Sequence, residues 1–374
     1  MRASGIIAEY NPFHNGHKYQ LEEVKKITGA DVIVAVISGN FVERGEPAIL
    51  SKEIRTQMAL CEGVDLVVEM PVLFAMNNSD YFAKAGVEIL ESLGVKYICF
   101  GSETGNLSEL NEYANFLKLN EIEIDIKVRE LIKEGYSYPR ALEEVSGKSF
   151  EPNDILGISY LKHMKNAEPI AIRRIGEGHI ESASRIRERI ILGESISDLV
   201  PAKSNRIFGE NRNNIVEQED FFSQVIQRIL LSSEDDLNGA FGAEEGLGSK
   251  LKKNVRKYEN MEDILSDLKS KRYTRTRVNR VLFSMLLGIT KEDVNLAKNY
   301  IRVLGFNETG AKYLKEVKKN EKSFLPILTN INKEVSPEIE KTLSFDILAT
   351  DLYNLASKKD LYENSENVKK PLKL

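Results

Sequence analysis

The first hundred residues alternate short, β-branched apolar runs with stretches in which apolar residues recur at helical spacing. This alternation constrains the fold more than any other feature of the chain, because strands that alternate with helices pair in parallel through right-handed crossovers. It predicts strands at 4–9, 31–38, 64–69 and 95–100, separated by helices at 15–28, 51–62 and 79–93. We therefore expect an α/β fold whose ligand site lies beyond the carboxyl ends of the strands, where the strand order reverses.

The pattern becomes mainly helical beyond residue 105. It predicts helices at 106–118, 124–134, 138–146 and 153–165, a last strand at 170–175, and a helix that begins at Ser182. Because a chain of 374 residues exceeds one ordinary core, we divide it into an α/β domain at 1–200 and a mainly α-helical domain at 201–374. The glycine-rich stretch 237–249 is expected to be a mobile loop, and the polar tail after Leu361 to be loosely ordered.

The composition excludes several classes of protein. Hydrophobic residues make up 42% and charged residues 29% of the chain, as in soluble globular proteins. The most apolar run, 32–37, is far shorter than the roughly 20 residues of a membrane-spanning helix, and no secretion signal precedes the first strand. Cys61 and Cys99 are too few for a disulfide framework or a cysteine-based zinc site. We expect a cytoplasmic enzyme or binding protein, with no membrane association, no protein-built metal site and no evident protein partner.

The strongest functional signal is a His-x-Gly-His motif, His14 to His17, where the first predicted strand runs into the next helix. The amides and dipole of a helix N-terminus favour an anion, and Gly16 lets a nucleotide approach the backbone. Two imidazoles can donate hydrogen bonds to phosphoryl oxygens as negative charge develops. The chain has four histidines, and two of them lie here. A purely structural alternative, in which both histidines cap the helix, remains open.

Two further clusters follow later strands. Gly101, directly after the fourth predicted strand, could pass close to an adenine or ribose, or could be an ordinary turn glycine. Arg173 and Arg174 precede a helix start in which Ser184 is expected to cap the helix while Arg187 binds phosphates. An N-capped surface helix is the alternative for this third cluster.

Asn153 follows Pro152 at a predicted helix start. Its amide could cap the helix or read the edge of an adenine. The residues by themselves favour the cap.

The charge is divided unevenly along the chain. The net charge is −5, but residues 1–200 hold 22 Lys and Arg against 31 Asp and Glu, whereas residues 201–374 hold 30 against 26. Residues 250–280 contain 11 basic and 4 acidic side chains. This segment could hold a polyanionic partner, although a solvated helix face would show the same composition.

Taken in this order, the three clusters resemble the H-x-G-H nucleotidylyltransferase superfamily, in which a first-strand His motif and a later S/T-x-x-R motif grip the triphosphate of ATP. Longer strings at 8–17, 38–48 and 152–157 look like the bacterial tRNA(Met) cytidine acetate ligase family, and the resemblance continues at 271–273 and 302–307. It implies a Rossmann-like, HUP-type ATP-binding domain followed by a mainly helical, tRNA-binding domain.

The resemblance also implies a reaction. Acetate attacks the α-phosphate of ATP to give acetyl-adenylate and pyrophosphate, and the acetyl group then passes to N4 of the wobble cytidine of elongator tRNA(Met), forming N4-acetylcytidine. Mg²⁺ is expected with the triphosphate. The catalytic residues implied are His14, His17 and Arg187. The implied ATP pocket comprises Ile7, Ala8, Glu9, Tyr10, Asn11, Pro12, Phe13, His14, Asn15, Gly16, His17, Lys18, Tyr19, Gln20, Gly101, Asn153, Arg173, Arg174 and Ser184.

The tRNA is expected to bind the basic segment. A helix at 272–288 would bury Val278, Val281, Leu282 and Met285 and turn arginines outward. The tRNA-binding residues proposed are Lys252, Lys253, Arg256, Lys271, Arg272, Arg275 and Arg277.

Two other functions remain open. A small-molecule adenylyltransferase would keep the ATP site but join AMP to a phosphorylated metabolite without RNA. A non-catalytic RNA-binding protein would retain a decayed nucleotide fold.

Overall fold

The computed structural model describes residues 1–136, 138–174, 183–243, 246–270, 274–320, 323–331 and 334–374. Within these ranges the chain forms one sheet of eight strands, with helices packed on both faces. The strands are β1 (Ala3–Ala8), β2 (Val32–Ser38), β3 (Leu66–Met70), β4 (Tyr97–Ser102), β5 (Glu168–Arg173), β6 (Ile301–Phe306), β7 (Ile327–Leu328) and β8 (Leu372–Lys373).

The helices alternate with the strands at first and then dominate the chain. The N-terminal half contains α1 (Asn15–Thr28), α2 (Lys52–Glu62), α3 (Val72–Ala75), α4 (Ser79–Ser92), α5 (Leu107–Leu119), α6 (Glu121–Lys133), α7 (Tyr138–Ser146), α8 (Pro152–His163) and α9 (Ala183–Ile191). The C-terminal half contains α10 (Ala202–Glu210), α11 (Phe222–Leu231), α12 (Glu234–Asn238), α13 (Leu247–Asn254), α14 (Met261–Leu268), α15 (Arg275–Leu287), α16 (Lys291–Leu296), α17 (Glu308–Lys319) and α18 (Pro337–Ala356).

The sheet has the order β5-β4-β1-β2-β3-β6-β7, with β8 paired to β6. Strands β1 to β5 pair with one another in parallel, as predicted. Strands β1, β2 and β3 lie side by side in chain order, and β4 then pairs with the other edge of β1. The strand order therefore reverses between β1 and β4, where a ligand site is expected.

The core lies on both faces of the sheet. Every residue of β2 is buried, because a central parallel strand is covered by helices on both sides. A separate hydrophobic cluster holds the C-terminal helices together, and Phe41, from the loop after β2, packs there against Phe221 and Phe283. The loop after β2 is thus anchored in the helical half of the protein.

The C-terminal half also contributes to the sheet, which the helical periodicity does not predict. Strand β6 pairs antiparallel with β3, and β8 pairs with β6. A strand of six residues is too short to show its period, and its partner in the sheet is distant in the chain. The tail predicted to be loose is ordered from Leu372 by this pairing, and Glu366 within it is buried.

The two ends of the glycine-rich stretch 237–249 are helical, whereas a mobile loop was predicted. Leu237, next to the last residue of α12, is buried in the C-terminal cluster, and α13 begins at Leu247, which is buried as well. Burial of these two leucines fixes both ends of the stretch. The last strand of the parallel set begins two residues earlier than predicted, at Glu168.

Candidate active site

Three strand ends meet at the edge of the sheet where the order reverses. The end of β1 leads to His14, β4 carries Gly101, and β5 ends at Arg173. Together they border a cleft of about 430 Å³ that is open to solvent. It is lined by His14, Gly16, His17, Tyr19, Gln20, Gly101, Ile172, Arg173 and Arg174.

The two histidines are held in one tautomer by backbone hydrogen bonds. His14 is the N-cap of α1, and its Nδ1 accepts a hydrogen bond from the backbone N–H of Gly16 at 3.0 Å. Nδ1 of His17 accepts from the backbone N–H of His14 at 3.2 Å. Because each Nδ1 is an acceptor, each neutral ring carries its proton on Nε2. The capping alternative and the ligand-binding hypothesis are therefore compatible, since each Nε2–H is left to donate.

Both imidazoles are neutral near pH 7. Burial and the nearby charges of Arg174 and Arg187 lower the pKa of His14 to about 4. Burial, His14 and Arg174 hold the pKa of His17 well below its usual value. The rings stack with their centroids 3.7 Å apart, so protonating both would put two cations in contact. They are suited to donate hydrogen bonds to an anion, and the arginines supply the positive charge.

Arg187 of α9 is bound to the chain just before the His motif. Its Nη1 donates to the backbone oxygen of Asn11 at 2.9 Å, and its Nη2 donates to Oγ of Ser184 at 3.2 Å. Ser184 is the second residue of α9, and its hydroxyl binds Arg187 instead of providing the expected helix cap. Ser182, also in the predicted motif, lies outside the described residues.

Asn153 does not cap its helix, so the preference for a cap was wrong. The N-cap of α8 is Glu151, and no side chain caps it. The amide nitrogen of Asn153 donates to Glu103, and its oxygen accepts from Nη1 of Arg174 at 3.4 Å. Gly101 lies against the aliphatic part of the Arg174 side chain, because a Cβ there would be 3.5 Å from Cγ of Arg174. Asn153 thus orients an arginine of the cleft.

Several of the residues expected in the ATP pocket make other contacts. Ile7, Tyr10 and Phe13 are buried in the hydrophobic core. The amide of Asn15 donates to the backbone oxygen of Asp198 at 3.0 Å, away from the cleft.

Other residues of the expected pocket divide between the cleft and neighbouring elements. Lys18 donates to the backbone oxygen of Glu62 at 2.9 Å. Asn11 Oδ1 accepts from the backbone N–H of Ile49 at 2.9 Å. Tyr19 and Gln20 line the cleft, and the hydroxyl of Tyr19 donates to the backbone oxygen of Arg173 at 3.4 Å.

The sequence reasoning missed two residues that hold the cleft in shape. Arg55 is buried in α2 and donates to the backbone oxygens of Glu9, Ser38 and Leu50. Asp154 accepts from the backbone N–H of Glu103 at 3.1 Å, which fixes the loop after β4. A helical pattern predicts which positions face inward but does not single out an inward arginine that binds strand ends.

The basic segment is partly exposed and partly tied to the protein. Lys253 and Arg256 are exposed, whereas Lys252 donates to the backbone oxygen of Leu230 at 3.0 Å. Arg275 forms an ion pair of 2.6 Å with Glu262. Helix α15 begins at Arg275 and buries Val278, Val281, Leu282 and Met285 as predicted. Lys271 and Arg272 lie outside the described residues.

Arg280, also in the basic segment, does not face outward. Its Nε donates to the backbone oxygen of Glu43 at 2.7 Å, and its Nη2 forms an ion pair with the Glu43 carboxylate. This arginine therefore joins α15 to the loop after β2.

Two kinds of feature are absent from the described part of the chain. No group of three or more His, Cys, Asp or Glu side chains in it could hold a metal ion. No helix in it is long and apolar enough to cross a membrane.

A sheet edge that gathers neutral imidazoles and guanidinium groups at a helix N-terminus is suited to a polyphosphate, and this fold and site define a nucleotide-binding α/β enzyme. The profile of the HIGH Nucleotidyl Transferase family matches residues 1–368. A tRNA(Met) cytidine acetate ligase of Caldicellulosiruptor saccharolyticus is 40% identical, with 96% of this chain and 95% of the relative covered. The chain belongs to the HIGH nucleotidyl transferase family and, within it, to the tRNA(Met) cytidine acetate ligases.

Two more comparisons agree. The tRNA(Met) cytidine acetate ligase of Staphylococcus carnosus is 36% identical, with 96% of this chain and 95% of the relative covered. The crystal structure of Thermotoga maritima TmcAL bound with alpha-thio ATP is 30% identical and superposes with a TM-score of 0.90 over 100% of both chains. The resemblance found in the sequence and the predicted α/β fold class are confirmed.

Proposed function

We propose that this protein is an ATP-dependent ligase that activates acetate as acetyl-adenylate and transfers the acetyl group to N4 of the wobble cytidine of elongator tRNA(Met). The observation that carries the proposal is the pair of Nε2–H donors of His14 and His17 at the N-terminus of α1. They lie in a chain whose relatives of nearly full length bear the name of this activity.

The first step requires an oxygen of acetate to attack the α-phosphate while pyrophosphate leaves. Phosphoryl-type displacement is catalysed mainly by positioning and by donors and cations that neutralise charge on the oxygens. Neutral imidazoles of fixed tautomer provide such donors, and Arg174 and Arg187 provide the charge. We assign His14, His17 and Arg187 to catalysis, and Asn153, Gly101, Arg173, Arg174 and Ser184 to the nucleotide site.

Mg²⁺ is proposed to enter with ATP. This ion prefers phosphate and water oxygens and needs few protein ligands, so the donor set of the cleft is compatible with it. When bound, the ion would neutralise charge on the triphosphate.

The second step requires the tRNA to reach the same cleft. The exposed Lys253 and Arg256, together with Arg275 and Arg277 at the start of α15, support a phosphate-binding face. We propose that Lys252, Lys271 and Arg272 belong to it as well. Because tRNA, ATP and acetate meet in the cytoplasm, we propose that the enzyme acts there.

The test is to incubate the protein with ATP, Mg²⁺, labelled acetate and unmodified tRNA, and to digest the RNA. Labelled N4-acetylcytidine that disappears in His14→Ala and His17→Ala is the expected result. His163→Ala is the matched control, because His163 lies on α8 and contacts Asp80 at 3.0 Å, away from the motif.

Two other results would contradict the proposal in different ways. Acetate-dependent exchange of pyrophosphate into ATP without labelled cytidine would keep the adenylate and reject the acceptor. Pyrophosphate release that depends on a phosphate ester would indicate a small-molecule adenylyltransferase. RNA binding without pyrophosphate exchange or release would indicate a non-catalytic RNA-binding protein.

A further inference from the structure

Glu9 lies between the end of β1 and the His motif, and its carboxylate is held by the loop that follows β2. Its Oε1 accepts a hydrogen bond from the backbone N–H of Glu43 at 2.9 Å. Its backbone oxygen accepts from Nη1 of Arg55 at 2.6 Å. Within the described residues, Oε2 of Glu9 accepts no hydrogen bond. One carboxylate oxygen is therefore fixed, and the other is available.

Charged groups of several elements face this carboxylate. They are Arg187 of α9, Arg55 of α2 and Glu43 of the loop after β2. Burial raises the pKa of the Tyr160 phenol of α8, and the negative charges of Glu9 and Glu43 raise it further. Arg187 also lowers the pKa of His14. Nη1 of Arg187 donates to the backbone oxygen of Asn11 at 2.9 Å, and Asn11 lies between Glu9 and His14 in the chain. One guanidinium therefore binds the backbone that joins Glu9 to the His motif.

The second step of the proposed reaction needs a proton acceptor. The exocyclic amine of cytidine gains a bond to the acetyl carbon and must lose a proton. His14 and His17 cannot accept it, because each Nδ1 already accepts a backbone hydrogen bond and each Nε2 already carries a proton. The phenol of Tyr10 is not a base either, because burial raises its pKa and keeps it protonated.

We propose that Glu9 accepts this proton, an assignment that rests on the proposed function. N4 of cytidine forms the C–N bond to the acetyl carbon, and the bond from that carbon to the AMP oxygen breaks, with the electron pair leaving on AMP. The N4 proton passes to Oε2 of Glu9 and from there to water. Burial raises the pKa of Glu9, which makes its carboxylate a stronger base than an exposed one.

The helical half of the protein positions this carboxylate. Arg280 of α15 binds both the backbone oxygen and the carboxylate of Glu43, whose N–H holds Glu9. Gly45 has φ +69°, and a Cβ there would lie 2.4 Å from the backbone nitrogen of Arg280, so the loop contacts the backbone of α15 directly. The helix that begins at the proposed tRNA face therefore also sets the position of Glu9.

The test separates the two half-reactions in the full-length protein. Acetate-dependent exchange of labelled pyrophosphate into ATP measures adenylation. Transfer to unmodified elongator tRNA(Met) in a single turnover measures the second step. In Glu9→Gln we expect transfer to slow about 100-fold or more, the range for loss of a general base, and to fall far more than exchange does. The wild-type transfer rate should rise with pH as Glu9 ionises, and the variant should lose this rise.

Glu46→Gln is the matched control, because Glu46 also faces Arg187 from the same loop and its Oε1 accepts from Asn279 at 2.9 Å. It should retain both half-reactions. Unchanged transfer in Glu9→Gln, equal loss of exchange and transfer, or equal loss of transfer in Glu46→Gln would each overturn the assignment.

A second variant decides the question if Glu9→Gln does not fold. Glu9→Asp keeps an ionising carboxylate on a shorter chain, so transfer should be slower but should still rise with pH. A transfer rate in Glu9→Asp that does not depend on pH would overturn the assignment. If wild-type protein makes no N4-acetylcytidine at all, the proposed function fails instead.

Discussion

Lys52 of α2 forms a buried ion pair with Glu366 of the C-terminal tail. Nζ of Lys52 also lies 2.7 Å from Glu69 of β3, and Glu366 accepts from Nη2 of Arg302 at 3.2 Å. All four side chains are almost completely buried. Burial opposes the charged forms, but Lys52 and Arg302 keep the pKa of Glu366 below its usual value. The end of the chain is thus joined electrostatically to the sheet.

Removing the charge of Glu366 should destabilise the protein strongly. In Glu366→Gln the buried Lys52 and Arg302 lose a counter-charge, and breaking one partner of a buried pair costs about 3–5 kcal/mol. Urea denaturation at pH 7 measures the loss. The exposed Glu363, three residues earlier, gives the control Glu363→Gln, which should change stability by less than about 0.5 kcal/mol. Equal stability of the two variants would show that the ion pair does not hold the tail.

Acidification should weaken the folded state through His14. Its pKa is about 4 when folded, against 6.5 for the unperturbed group, so between these values the unfolded chain binds a proton that the folded protein does not. Stability is therefore lost as the pH falls from 6.5 towards 4. The change in melting temperature between pH 7 and pH 5 should be smaller in His14→Gln than in wild type. The same change in both proteins would show that His14 titrates normally.

Asn153→Ala should weaken ATP binding more than it slows turnover. The variant releases Arg174 from its contact at 3.4 Å and frees Glu103 beside it. We expect KM for ATP to rise about tenfold, the equivalent of one hydrogen bond to a charged group, with kcat within about threefold. Steady-state pyrophosphate release measures both constants. Asn166→Ala is the control, since Asn166 is exposed after α8, and it should match wild type. A fall in kcat alone would assign Asn153 to the chemical step.

Charge reversal at the start of α15 should weaken tRNA binding. Arg275→Glu combined with Arg277→Glu should lower affinity and reduce the slope of log affinity against log salt by about one for each phosphate that the protein no longer binds. Filter binding at several salt concentrations measures the slope. Arg129→Glu is a suitable control, because Arg129 is also an exposed arginine paired with a carboxylate, but it lies on α6. An unchanged slope in the double variant would move the tRNA face elsewhere.

Local pattern was sufficient for much of this protein. The alternation of strands and helices before residue 100 predicts β1 to β4 closely, and the His-x-Gly-His motif after β1 marks the start of α1. These features depend on residues near one another in the chain, where period and capping are visible. Helix α15 and its buried face were predicted for the same reason.

Only the tertiary structure decided how distant segments meet. It pairs β6 with β3, buries Glu366 beside Lys52, and turns Asn153 towards Arg174 instead of its own helix. It also brings Glu43 between Glu9 and Arg280. These contacts depend on which surfaces pack together across the chain. A buried arginine or glutamate is stabilised by its partners in space, and the periodicity of its own helix or strand carries no information about those partners.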